Sequence, residues 1–202
     1  LPEYAGLHTH QWALLNNENQ FGATLHWMSP KIDAGPIAYR ETFTIGEDDT
    51  GLQLFLKAID TGTELTLKAL KQISTGDKLP RESQDISKRE VYKTKDIPDG
   101  EVDWDRSAQD IYNFVRAADY RPFNSPTYEP YIILDGQKVT IRAVQVLDQN
   151  EGEPGKILRL NETIVVGTNS RDVEVLEMEL NSESLTGKEI EKNFNISSGA
   201  EI

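Results

Sequence analysis

The chain has 202 residues, 37% hydrophobic and 27% charged, with Trp, Tyr and Phe all present; that supports one large or two small packed domains and argues against wholesale disorder. No apolar run approaches the ~20 residues of a membrane-spanning helix, no signal-peptide pattern is visible, and the absence of cysteine excludes disulfides, thiolate metal sites and a cysteine nucleophile. The formal net charge is −13, with −4 on residues 1–90 and −9 on residues 91–202, so the second half lacks the excess of Lys and Arg that phosphate-backbone binding requires.

Residues 1–9 read as a loop containing Pro2 and Gly6, with Thr9 placed to cap a short helix over residues 10–16. In residues 21–28, Ala23, Leu25 and Trp27 alternate with Thr24, His26 and Met28, the two-residue period of a strand. Residues 29–36 hold two prolines, an Asp and a Gly and form a loop. A second strand follows, with Ile37, Tyr39, Phe43 and Ile45 on one face. Thr50 and Gln53 have the spacing of a capping box. The helix behind it carries an apolar stripe of Leu52, Phe55, Leu56 and Ile59, continued by Leu67, Leu70 and Ile73, and Gly62 leaves open whether it is one helix or two.

The first domain is expected over residues 1–78. Residues 79–101 are charged, contain Pro80, Pro98 and Gly100, and read as a linker. Residues 102–202 form the second domain. Ser107 starts a helix with Ile111, Phe114, Val115 and Ala118 inward. Asp135-Gly136 separates two β-rich runs and predicts a hairpin. Five short strands at this spacing, between residues 131 and 180, predict a small barrel or sandwich, and an amphipathic helix is expected over residues 186–194.

Several strings are distinctive. Leu1-Pro2-Glu3-Tyr4-Ala5-Gly6-Leu7-His8-Thr9-His10, Phe21-Gly22-Ala23-Thr24-Leu25-His26 and Ile32-Asp33-Ala34-Gly35-Pro36 follow one another at fixed spacing. Together they resemble the folate-dependent formyltransferases, enzymes that move a formyl group from 10-formyltetrahydrofolate to an amine. Asp33 lies 31 residues after Pro2, the interval between that family's Leu-Pro pair and its catalytic Asp. Further on, Glu101-Val102-Asp103-Trp104-Asp105, then Asn113-Phe114-Val115-Arg116-Ala117-Ala118, then Pro122 and Gly136-Gln137-Lys138 are similar to the C-terminal domain of methionyl-tRNA and nucleotide-sugar formyltransferases. The resemblance implies an α/β fold: the distal part of a Rossmann-like formyltransferase domain followed by a small OB-like β-barrel domain.

It also implies a site. Asp33 is expected to be catalytic, holding a histidine and assisting proton movement. Leu1, Pro2, Pro30, Lys31, Ile32, Ala34 and Gly35 are expected to bind the folate co-substrate, with Gly35 admitting a ligand close to the backbone. His8 and His26 are expected near the active site in hydrogen-bonding roles. The family's Arg is replaced by Ala5, which removes a cation. Its catalytic Asn and His stand upstream of the Leu-Pro pair, so the chain is expected to be truncated at its start.

Other readings of these residues are bland. His8, His10 and His26 are too few for a zinc site without further ligands, so no metal is expected. Trp12 and Trp27 read as core, Glu47-Asp48-Asp49 as a solvated turn at a helix start, and Glu174, Glu177 and Glu179 as the wet face of a strand. The expected acceptor is the amine of a small metabolite such as an amino-sugar nucleotide, in a cytoplasmic setting. Methionyl-tRNA is the rival acceptor, disfavoured by the acidic second half. A non-catalytic binding protein is the rival class.

Overall fold

In the computed structural model, which describes residues 1–202, the chain divides into two units, Leu1–Ile97 and Pro98–Ile202. The first begins with a three-residue strand β1 (Tyr4–Gly6) and a short helix α1 (Thr9–Leu15). Thr9 is the first helical residue, not the cap. His8 takes the capping position in the left-handed region (φ 52°) and makes no side-chain cap bond. Its carbonyl accepts from the Gln11 and Trp12 amides at 2.9 and 3.3 Å, which closes the first turn through the backbone.

The alternating residues form an antiparallel hairpin of β2 (Gln20–His26) and β3 (Ile37–Thr44), in register from Gln20↔Thr44 to Leu25↔Tyr39, with an irregular step at His26. A single helix α2 (Gly51–Ser74) covers β2. Thr50 caps it: its hydroxyl accepts from the Gln53 amide, and the Gln53 side chain accepts from the Thr50 amide. Asp49 is buried rather than solvated, held by the Gly46 amide and Lys57 at 2.7 and 2.6 Å, while Glu47 and Asp48 are exposed.

The inward face of α2 is not the stripe of large residues. Leu54, Leu65 and Ala69 are buried, and Gly62 lies beside Ala23 of β2. Phe55, Leu56, Ile59, Leu67, Leu70 and Ile73 are all 40% or more exposed. The helix is apolar on two faces, and the one with Leu54, Gly62, Leu65 and Ala69 is turned inward.

Residues 79–97 are part of the first unit rather than a linker. Glu82 pairs with Ile37 through both backbone bonds, at 2.7 and 3.0 Å. A strand β4 (Glu90–Tyr92) runs parallel to β1, with Gly6 opposite Tyr92. Tyr92 stacks on Tyr4 and Trp12, and Asn16 donates to both phenol oxygens. Charge composition alone hid this packing, because the strand presents few large apolar residues.

In the second unit, Ser107 caps α3 (Ala108–Ala118), whose Ile111, Phe114 and Val115 are buried against β6 (Gln137–Val146). Asp135 and Gly136 both have positive φ, as a tight hairpin turn demands, and join β5 (Tyr131–Leu134) to β6. The remaining strands are β7 (Ile157–Leu160), β8 (Ile164–Val166), β9 (Val173–Leu180) and β10 (Glu183–Leu185), six in the sheet rather than five. Their order is β5-β6-β9-β8-β7, with β10 also on β9. The far edge of β9 is divided: residues 173–175 pair with β8 and residues 178–180 with β10. Bulges in the β6–β9 ladder around Ala143 bend the sheet. A capped helix α4 (Gly187–Phe194) follows and buries Ile190 and Phe194.

The three glutamates of β9 are paired rather than bare. Glu174 accepts from Thr163, Glu177 from Arg121 and Glu179 from Arg142. Burial alone would raise the Asp119 carboxyl, but hydrogen bonds from the Arg121 side chain and amide outweigh it and hold it below the ordinary range.

Candidate functional site

The loop between β2 and β3 has little regular structure, so its shape depends on individual hydrogen bonds. Its ends are joined where the Trp27 amide donates to the Pro36 carbonyl at 2.8 Å. Gly35 sits inside this closure. A Cβ there would stand 1.7 Å from the Trp27 carbonyl oxygen, so the glycine serves backbone-to-backbone approach; a ligand is not needed to explain it. Asp33 occupies the left-handed region (φ 54°), where only Gly, Asn and Asp rest without large cost.

This backbone aims the Asp33 carboxylate at β1. Oδ2 accepts from the Gly6 amide at 2.9 Å, and Oδ1 lies 3.7 Å from Nε2 of His26. Gly6 has φ +97°, and a Cβ on it would meet the Tyr92 carbonyl at 2.2 Å, so β4 fixes the direction of its amide. Nδ1 of His26 is 3.0 Å from the Trp27 carbonyl. That oxygen can only accept, so Nδ1 carries the hydrogen and Nε2 is left facing the carboxylate.

The pair borders a cleft of about 570 Å³, lined also by Leu1, Tyr4, Phe21, Thr24 and Arg40, a size suited to a small-molecule ligand. Glu3, Glu18 and Glu41 also line it, so its charged side chains are mostly acidic. Burial pushes the Tyr4 phenol up, beyond ordinary titration, while it donates to Glu18 at 2.7 Å.

Of the residues expected at the site, Leu1, His26 and Asp33 line this cleft, and His8, Pro2, Pro30, Lys31, Ile32, Ala34 and Gly35 do not. Pro2 and Gly35 are buried, Ala34 is half-buried, and Pro30, Lys31 and Ile32 are exposed on the loop, Ile32 at 77%. His8 stands at the head of α1 next to His10, their ring centroids 6.5 Å apart. No group of three or more His, Asp or Glu side chains stands close enough together to hold a metal ion.

Sequence reasoning missed three contributors. The Gly6 amide was visible only as part of a motif. Gln84 donates from Nε2 to the Asp33 carbonyl at 3.1 Å and to the Gly35 carbonyl at 2.6 Å. Arg89 donates from Nη2 to the Ile32 carbonyl at 2.7 Å. Both act on backbone oxygens from a polar stretch, and no side-chain pattern marks such contacts.

The formyl transferase profile matches residues 1–70, and the profile of the formyl transferase C-terminal domain matches residues 96–195. The chain belongs to the formyl transferase family. Among solved structures, the N-formyltransferase of Helicobacter canadensis, crystallised with folinic acid and dTDP-3-aminofucose, is similar to this family member with a TM-score of 0.69 and 21% identity, over 87% of this chain and 62% of that one. The sugar 3N-formyl transferase WlaRD, crystallised with dTDP and 5-N-formyl-THF, matches with a TM-score of 0.69 and 21% identity, over 91% and 63% of the two chains. HypX of Aquifex aeolicus in complex with tetrahydrofolic acid matches with a TM-score of 0.67 and 20% identity, over 98% of this chain and 34% of that one. The chain thus spans less than two thirds of the length of these structures, and at such identity the likeness is one of fold.

Proposed function

We propose that the protein carrying this chain transfers a formyl group from 10-formyltetrahydrofolate to an amine on a small metabolite, such as an amino-sugar nucleotide, with Asp33 moving the proton. In this reading the first unit is the distal part of a Rossmann-like formyltransferase domain and the second is its OB-like companion. The folate-bound or amino-sugar-bound states of the similar structures support the substrate classes. A folate-consuming biosynthetic step fits a cytoplasmic setting.

The observation that carries the proposal is the Asp33 carboxylate, held by the Gly6 amide at 2.9 Å and faced by Nε2 of His26 at the border of a ligand-sized cleft. Formyl transfer needs an amine to lose a proton as it attacks the formyl carbon, and the departing folate nitrogen to gain one. A carboxylate with one oxygen fixed and the other turned to an imidazole can accept the amine proton and pass it on.

The test is formyl transfer from 10-formyltetrahydrofolate to dTDP-amino sugars by the protein that carries this chain. Asp33→Asn is expected to lower kcat by about 10²–10⁴-fold, the range for losing a general acid–base group, with KM for the folate changed far less. Unaltered transfer in Asp33→Asn removes Asp33 from the chemistry, and failure to bind any folate sinks the formyltransferase reading.

A further inference from the structure

We infer that Gln84 and Arg89 are positioning residues for Asp33, acting through residues 80–92 as a strap that fixes both the loop bearing the carboxylate and the strand that hydrogen-bonds it. The loop makes few bonds of its own near Asp33: the Ala34 amide and the Ser29 hydroxyl both serve the Lys31 carbonyl. The carbonyls of Ile32, Asp33 and Gly35 receive their donors from Arg89 and Gln84. Two further ties flank these, from the Trp27 indole N–H to the Pro80 carbonyl at 2.8 Å and between Glu82 and Ile37.

The two side chains are placed for the loop and not for their own satisfaction. Oε1 of Gln84 and Nε of Arg89 are buried without a hydrogen-bond partner. Leaving such atoms unpaired is costly, so the sites are shaped by the carbonyls they grip. The residue after Arg89 begins β4, which pairs with β1 and places Gly6 opposite Tyr92; the Leu7 amide adds a bond to the Tyr92 carbonyl at 3.1 Å. One segment therefore sets both the donor and the acceptor of the Gly6–Asp33 hydrogen bond. A left-handed Asp held only by its own loop would sample other conformations, and the strap restricts it to one.

The catalytic consequence rests on the formyl-transfer reading, but the positioning can be measured without it. In the 202-residue chain, the Gly6 amide proton resonance is followed by NMR through the acid range in which a carboxyl titrates. It is expected to move with Asp33 in the unaltered chain and to stay still in Asp33→Asn. Gln84→Met keeps length and Arg89→Met keeps most of the apolar stem, while both remove the donors; each lost hydrogen bond is expected to shift the loop population about five-fold, shrinking the Gly6 excursion. Arg89→Lys, which keeps a donor, restores much of it, and Lys88→Met, an exposed neighbour with no tie to the loop, leaves it intact. Where Gln84→Met does not fold, the Arg89→Met and Arg89→Lys pair decides alone. A full Gly6 excursion in the Met variants, or an equal loss in Lys88→Met, overturns the inference. A second arm follows kcat and KM for the folate in Gln84→Met, where a fall confined mainly to kcat is expected. If Asp33→Asn leaves transfer unchanged, the functional reading fails while the Gly6 signal still decides the strap.

Discussion

His10 packs its ring against Phe55, centroids 5.3 Å apart, and burial first, with the neighbouring His8 second, pushes its pKa down to about 4. In an unfolded chain the same imidazole takes its proton near pH 6.5. Between those two values the unfolded state binds a proton that the folded state refuses, so folding weakens as pH falls through that window and gains no further penalty from this group below pH 4. The slope is at most about 1.4 kcal/mol per pH unit. Urea unfolding at several pH values is expected to show this loss in the unaltered chain and a flatter dependence in His10→Gln. Asp33 and Gly35 illustrate the same scale differently: Asp33 holds a positive φ that few side chains accept, and Gly35 has no room for a Cβ beside the Trp27 carbonyl.

Helix α2 shows how a correct element can be oriented wrongly by pattern alone. Its cap, its length and its amphipathic texture all follow from Thr50, Gln53 and the spacing of leucines. Its buried face does not, because two apolar faces compete and the one turned inward carries Leu54, Gly62, Leu65 and Ala69. Leu67→Gln and Leu70→Gln on the exposed face are each expected to change stability by within about 0.5 kcal/mol. Leu54→Ala, fully buried, is expected to cost about 2–5 kcal/mol. Equal costs on both faces, measured by chemical denaturation, contradict this orientation. The contrast with β4 is instructive. A three-residue strand among charges has no periodicity to detect, and its partner β1 lies so far away in sequence that no local signal joins them. The hairpin at Asp135-Gly136 was legible because its turn chemistry is local. In the site, Asp33 and His26 were legible through a family motif, whereas Gln84 and Arg89 work on backbone carbonyls that any sequence would supply.

At the scale of the whole chain, the net charge of −13 sets what it can attract. The basic side chains of the second unit are largely engaged: Arg121 with Asp119 and Glu177, Arg142 with Glu129 and Glu179, Arg159 with Glu174. Arginines paired this way must give up a carboxylate before they can displace counterions from a phosphate backbone, which weakens such binding. A tRNA titration at low and moderate salt is therefore expected to show weak binding with little salt dependence. A steep fall of affinity with salt points instead to a tRNA acceptor. The parallel pairing of Tyr4 with Glu90 has a temporal side. At synthesis rates of about 5–20 residues per second, the nascent β1 waits on the order of 4–17 seconds for β4 to emerge. Until then Gly6 has no neighbour to orient its amide, so the carboxylate's resting place is among the last things the ribosome delivers to this unit.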